Sequence, residues 1–103
     1  MLEINGKQYE LKFNTGRIKL VEKALGGESV THAMLTNDGM MSLTSIEAMF
    51  SYGLKEAGSD TFVKPKEAAE LCEAYMQEKG YVAAVQALQA QMKEDMGFLF
   101  RRA

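Results

Sequence analysis

LEINGKQYELKFNTGRIKLVEKALGG, residues 2–27, is the stretch of sequence that decides the fold of this chain. Asn5-Gly6 separates two short runs of alternating apolar residues, and this pair tolerates the two positive φ angles of a type I′ turn. The pattern predicts a tight β-hairpin over residues 2–13. Because a two-stranded hairpin is not stable alone in water, its apolar face must cover helices from the rest of the chain.

A first helix is predicted directly after the hairpin. Thr15 is placed to cap its first turn, and Gly26-Gly27 supplies the left-handed backbone that ends a helix. Apolar residues recur between these two signals at helical spacing: Ile18, Val21, Ala24 and Leu25.

Three further helices are predicted from caps and periodicity. The segment Thr44-Ser-Ile-Glu47 has the arrangement of a capping box, which predicts a helix from about Ser45 to Ala57, stopped by Gly58. Pro65 suits the first position of the next helix, which ends at Gly80. Its apolar stripe consists of Ala68, Leu71, Cys72, Tyr75 and Met76. A long last helix from Tyr81 to near Gly97 carries the stripe Val82, Val85, Leu88, Met92 and Met96.

The segment between residues 28 and 42 is expected to hold a short helix and a turn. Ser29 to Leu35 predicts one more short helix, with Val30, Ala33 and Met34 directed inward. Thr36-Asn-Asp-Gly39 is a turn cluster, and we expect a mobile connection there.

Length and composition indicate one domain of the α+β class. A chain of 103 residues with 47% apolar and 25% charged residues is long enough for a single hydrophobic core. We therefore predict one mainly α-helical domain over residues 1–103. In it, the N-terminal β-hairpin (2–13) packs on about four helices of a helical body (15–100).

The charge distribution argues against nucleic-acid binding. The chain has 12 basic and 14 acidic residues, and division after Gly58 gives 6 against 7 in each part. A protein that neutralises phosphates needs a concentrated Lys/Arg face, which neither part has. The helix after Pro65 also carries four glutamates where a helix-turn-helix would place its recognition helix.

The sequence predicts a protein of the cytoplasm without disulfides. Its N-terminus lacks a basic segment followed by an apolar run, and no stretch approaches the roughly 18 apolar residues of a membrane span. Cys72 is the single cysteine, so neither an intramolecular disulfide nor a cysteine-based metal cluster can form.

Candidate catalytic and metal-binding residues are few. His32 and Cys72 are the residue types of a base and a nucleophile, but a lone His in a polar segment and a lone Cys on an apolar stripe are more typical of surface and core. Glu67, Glu70 and Glu73 share one side of a helix, where neighbouring lysines favour a solvated face. The glycines of the sequence do not have the spacing of a phosphate-binding loop. We predict no catalytic residue, no cofactor and no metal.

Two features instead indicate protein partners. Seven methionines follow Met1, and flexible thioether side chains suit surfaces that adapt to more than one shape, although gap-filling in the core is the commoner use. Three consecutive large apolar residues also lie within a few positions of the C-terminus. They must either fold back onto the core or dock into another subunit. The candidate interaction residues are Leu88, Met92, Met96, Phe98, Leu99 and Phe100.

Two segments of the N-terminal part together resemble a known family. They are the opening Leu2-Glu-Ile-Asn-Gly-Lys-Gln-Tyr-Glu-Leu-Lys-Phe13 and the end of the first helix, Val21-Glu-Lys-Ala-Leu-Gly26. This part is similar to the start of the small tail assembly chaperones of long, non-contractile-tailed phages and prophages. The likeness covers the first quarter of the chain with some specificity, and the rest by length and helix content.

The resemblance implies a protein that is not an enzyme. It implies binding to the tape measure protein, whose long helical, apolar chain is kept soluble, and help in recruiting tail tube subunits. It also implies self-association and a place in the host cytoplasm but not in the mature virion. Two alternatives remain open: a virion structural protein, such as a tail completion or tube-associated component, and a small cytoplasmic regulator that binds another protein.

Overall fold

A computed structural model describes residues 1–35 and 40–100 of the chain, and the turn predicted at 36–39 lies outside them. The described residues form a mainly helical α+β structure, which confirms the predicted fold class. In chain order the elements are β1 (Leu2–Ile4), β2 (Lys7–Leu11), α1 (Thr15–Ala24), α2 (Val30–Leu35), α3 (Leu43–Gly53), β3 (Leu54–Glu56), α4 (Pro65–Lys79), α5 (Tyr81–Met96) and a 3₁₀ turn (Gly97–Phe100), named here the C-terminal turn.

The hairpin has the predicted turn. β1 and β2 are antiparallel with Ile4 opposite Lys7, and the two residues between them, Asn5 and Gly6, have φ angles of 52° and 79°. These values are those of a type I′ turn. Because side chains alternate along a strand, one face of the hairpin carries the apolar residues. That face is buried through Ile4, Tyr9 and Leu11.

The first helix begins and ends close to the predicted residues. Asn14, not Thr15, is its N-cap, because the Asn14 Oδ1 atom accepts the Arg17 amide at 2.9 Å. The predicted end is confirmed: the Gly27 amide donates to the carbonyl of Glu22 at 2.8 Å, which closes a Schellman motif.

The third helix ends four residues before the predicted position, and a third strand follows it. Its N-cap is Ser42, which accepts the Ser45 amide at 3.0 Å, so the capping box predicted at Thr44 was wrong. The helix ends at Gly53 because the next three residues, 54–56, pair antiparallel with the free edge of β2. Sheet order is β1-β2-β3. This pairing joins residues more than 40 positions apart, and helix caps and periodicity carry no signal for it.

The core forms where α3 meets the sheet and the other helices. Helix α3 contacts α1, α4 and α5. The ring centroids of Phe50 on α3 and Tyr75 on α4 are 5.9 Å apart. Phe13, only 2% exposed, lies so close to Gly53 that a Cβ atom on the glycine would collide with the aromatic ring. The absence of a side chain at Gly53 thus lets the hairpin approach α3.

Helices α4 and α5 carry most of the predicted core faces. Pro65 begins α4 as predicted, and Gly80 separates the two helices. One assignment was wrong, since Val82 is 62% exposed, whereas Met76 is partly buried and packs against the core. No helix among the described residues is both long enough and apolar enough to span a membrane.

Candidate protein-binding cleft

A surface cleft of about 550 Å³ lies between α2, α5 and the C-terminal turn. We name it the α2–α5 cleft. Helix α2 contributes Met34 and Leu35, and the C-terminal turn contributes Phe100. The residues from α5 follow one another at intervals of three, one and three: Gln86, Gln89, Ala90 and Lys93. Such spacing places side chains on one face of a helix.

Local hydrogen bonds hold α2 in place beside the cleft. The Glu22 carboxylate accepts the amide of Val30 at 3.0 Å, and Ser29 accepts the amide of His32 at 3.2 Å. These two acceptors satisfy amides of the first turn, which have no partner within a helix. With Val30 fully buried, Met34 points inward and is 3% exposed, whereas Leu35 is 64% exposed at the rim. The inward positions predicted for this helix are confirmed.

The other wall, α5, is tied to the hairpin by a buried carboxylate. Asp95 accepts the Phe13 amide at 2.9 Å, the Gln91 side-chain amide at 2.9 Å and the Lys12 ammonium at 3.1 Å. Its side chain is only 4% exposed. Burial acts to raise the pKa of Asp95, but the three hydrogen bonds outweigh it and lower the pKa below the ordinary value of 3.8. This clamp joins Asp95 to Phe13 and Lys12, which lie 82 and 83 positions earlier in the chain.

The described lining of the cleft is apolar with a single charge. Met34, Leu35, Ala90 and Phe100 supply apolar surface, and Lys93 is the only charged residue among the lining residues within 1–35 and 40–100. Its other polar groups are two neutral amides, which donate and accept hydrogen bonds without acid–base chemistry at neutral pH. Such a surface suits an apolar side chain of a partner, since apolar burial is the main driving force of association.

Three of the predicted interaction residues lie in the core. Leu88 and Met92 are fully buried and Met96 is 3% exposed, so they cannot line a groove on the surface of this structure. Phe98 is 56% exposed, and Leu99 and Phe100 are partly buried against the core. Phe100 alone of the six predicted residues lines the α2–α5 cleft.

The residues that sequence reasoning missed lie beside the buried stripe, on the adjacent face of the same helix. Gln86, Gln89 and Lys93 have the same helical spacing as the buried stripe, but their polarity marked them as solvated surface. The available signal was Ala90 among them, a small residue that leaves room for a neighbour.

The residues considered for catalysis or metal binding are not brought together into a site. Cys72 is 1% exposed, and burial, with smaller contributions from Glu47 and Glu73, raises the pKa of its thiol to about 12. His32 is exposed, and so are the three glutamates along α4. Within residues 1–35 and 40–100, no group of three or more His, Cys, Asp or Glu side chains is arranged to hold a metal ion.

A second hollow, of about 540 Å³, lies beside the sheet and is polar. It contains the ion pair between Glu10 and Lys55, whose charged atoms are 2.6 Å apart. A hydrogen bond from Lys55 lowers the pKa of Glu10, although partial burial opposes the shift. Because this pair joins β2 to β3, it stabilises the third strand of the sheet.

Comparison with family models, with curated proteins and with solved structures gives no match for this chain.

Proposed function

We propose that this chain is a tail assembly chaperone that binds the tape measure protein of a phage or prophage, keeps it soluble and helps recruit tail tube subunits. The observation that carries the proposal is the α2–α5 cleft, whose described lining is largely apolar and includes Lys93. The resemblance of residues 2–26 to this family supports it. A scaffold of this kind acts by reversible burial of apolar side chains and requires no catalytic group.

The cleft is long enough along α5 for about two turns of a partner helix. Its residues on α5 run from Gln86 to Lys93, seven positions, which corresponds to about 10 Å or two turns at 1.5 Å per residue. A helix laid in such a groove is held through side chains at positions i, i+3 or i+4, and i+7. The long apolar helices expected of a tape measure protein present this pattern repeatedly, so several copies of the chaperone can bind one chain.

The test is co-expression with the tape measure protein of the same genome, followed by light scattering on the soluble fraction. We expect a soluble, stoichiometric complex. The double variant Leu35→Asp/Ala90→Glu places two carboxylates in the cleft and should abolish capture, because docking of an apolar helix would remove water from both charges. Leu20→Asp is the matched control, since Leu20 is 41% exposed on α1 and does not line the cleft.

Two results would remove the proposal. One is a tape measure protein that stays insoluble beside a free monomer of this chain. The other is a double variant that solubilises it as well as the wild type does, since the α2–α5 cleft would then not be the binding surface.

The sheet supports a second candidate function, that of a virion structural protein. β1 pairs with β2 on one side, and no other described strand lies along its outer edge. Such an edge can join a strand of a neighbouring subunit. Mass spectrometry of purified particles separates the two functions: a structural protein is present in fixed stoichiometry, and a chaperone is absent.

A further inference from the structure

A groove of about 520 Å³ lies between the end of α1, the helix α3 and the start of α4. We name it the α1–α4 groove. Short side chains from all three helices line it: Ala24 from α1, Ala48 and Ser51 from α3, and Ala69 from α4. Because these side chains are small, the groove has room for a longer apolar side chain from another molecule.

The charge around this groove is negative. Glu47, Glu70 and Lys66 also line it, which gives two carboxylates and one ammonium group. Helix α4 carries two more exposed glutamates, Glu67 and Glu73, three positions before and three positions after Glu70. Residues at this spacing are neighbours on a helix surface, so the acidic character extends along α4.

The outward face of α1 has the opposite charge. Lys19 and Lys23 are exposed there, one turn apart, and Leu20 between them is 41% exposed. Leu20 also lies one turn before Ala24, which lines the groove. An exposed leucine between two lysines therefore adjoins a groove that is edged by glutamates.

Neither set of charges is neutralised within the described part of the chain. The ion pairs among residues 1–35 and 40–100 include none of Lys19, Lys23, Glu47 and Glu70. A second copy of the chain carries both sets, so its basic helix face can meet the acidic groove. In a dimer with two-fold symmetry such a contact forms twice, because each surface of one copy meets the other surface of its partner.

We propose that two copies of this chain associate through the α1–α4 groove, each inserting Leu20 into the groove of the other, with Lys19 and Lys23 against Glu47 and Glu70. Insertion removes the apolar surface of Leu20 from water, and the charges fix the orientation of the two copies. Because Leu20 and the groove adjoin on one surface, both contacts form around one axis and association ends at the dimer. The α2–α5 cleft takes no part in this contact, so the inference goes beyond the proposed function.

Sedimentation velocity of the chain alone is the first test. Wild type should pass from monomer to dimer between about 1 and 300 µM, the range of a small interface. Leu20→Asp should weaken association on the order of 100-fold, because each dimer would bury two unpaired carboxylates. Phe98→Asp is the matched control and should associate as wild type does, since Phe98 is 56% exposed on the C-terminal turn and does not line the groove.

Three results of this experiment would overturn the proposal. They are a wild type that stays monomeric over the whole range, a wild type that forms particles larger than a dimer, and dissociation by Phe98→Asp with Leu20→Asp unaffected. The last result would place the contact at the C-terminal turn.

Charge reversal tests which surfaces meet. The variant Lys19→Glu/Lys23→Glu and the variant Glu47→Lys/Glu70→Lys should each remain monomeric, because like charges then face each other in both contacts. An equimolar mixture of the two variants should form a dimer, since each acidic surface of one then meets a basic surface of the other. A mixture that stays monomeric, or either variant dimerising alone as wild type does, would refute the pairing of these surfaces.

Salt and the capture experiment supply independent readouts. A rise in NaCl from roughly 0.05 to 0.5 M should weaken the wild-type dimer several-fold through screening, and a stronger dimer at high salt would contradict the charge pairing. Monomeric Leu20→Asp should still solubilise the tape measure protein, since its α2–α5 cleft is unchanged. Failure of capture by wild type would remove the proposed function, while sedimentation of the chain alone still decides the dimer.

Discussion

Replacement of Asp95 by alanine should destabilise the whole fold, although the residue lies near the end of the chain. Its carboxylate is 4% exposed and accepts hydrogen bonds from Phe13, Gln91 and Lys12. A hydrogen bond to a charged group contributes roughly 1.5–3 kcal/mol, and a buried donor left without a partner costs about 1–3 kcal/mol. Phe13 is 2% exposed, so its amide would be such a donor.

The three hydrogen bonds are lost as a unit, and their contributions do not simply add. The Lys12 ammonium is half-exposed and can return to water, which leaves the Phe13 amide as the main uncompensated group. We therefore expect a loss of about 3 kcal/mol for Asp95→Ala. This corresponds to a fall in Tm of about 12–24 °C for a domain of this size.

Urea denaturation followed by far-UV circular dichroism measures this free energy, with the m-value held fixed between variants. Glu94→Ala is the matched control, since it removes the exposed carboxylate next along the helix and should shift the midpoint little. Asp95→Asn should fall between alanine and wild type because it keeps one acceptor oxygen but loses the charge.

The effect of Asp95 should depend on pH in one direction. Because the pKa of Asp95 is lower in the folded chain than its ordinary value of 3.8, its contribution is complete above that value. The contribution is lost as the pH falls through the lower, folded pKa. The difference in stability between wild type and Asp95→Asn should therefore shrink on acidification below about pH 4. An unchanged midpoint for Asp95→Ala at pH 7, or a difference that grows with acid, would refute the reasoning.

Three further perturbations test other parts of the structure. Gly53→Ala should cost about 1–3 kcal/mol in urea denaturation, because the added Cβ meets the ring of Phe13. Cys72 should resist alkylation by iodoacetamide at pH 8 in the folded chain and react in urea, because it is 1% exposed and its thiol pKa is raised to about 12. Tyr81→Phe should cost about 1 kcal/mol in the same denaturation assay, since its hydroxyl donates to the carbonyl of Met41 at 2.6 Å.

Each of these has a result that would contradict it, and Gly53→Ala also has a matched control. Gly97→Ala adds a methyl group where nothing lies within 4 Å, so it should not destabilise; equal losses at both glycines would argue against the clash. Rapid alkylation of the folded chain would place the thiol of Cys72 at the surface. For Tyr81→Phe, an unchanged midpoint would mean that the hydroxyl bonds water equally well.

Several elements followed from local sequence signals alone. The Asn5-Gly6 turn, the start of α4 at Pro65 and the inward residues of α2 were all predicted correctly. Each depends on the conformational preference of one or two residues or on the spacing of apolar side chains within one element. These signals act over fewer than ten positions, so they can be recognised without knowledge of the rest of the fold.

Other features depended on residues far apart in the sequence. Leu54 continues the helical spacing of the apolar residues of α3. Residues 54–56 nevertheless form a strand, because they pair with the free edge of β2 and Lys55 forms an ion pair with Glu10 there. No local sequence signal sets Asp95 apart from Glu94 beside it, and only the position of Phe13 makes its carboxylate a buried clamp.

The sequence by itself thus determined the hairpin, the approximate bounds of most helices, and the α+β class. Only the tertiary structure decided which face of α5 meets solvent as a cleft and which is covered. Leu88, Met92 and Met96 are the apolar residues expected at a binding surface, but burying them inside the chain removes the most apolar area from water. The cleft lies on the mixed face of the same helix, where its lining is completed by Met34, 52 positions before Gln86, and by Phe100, seven positions after Lys93.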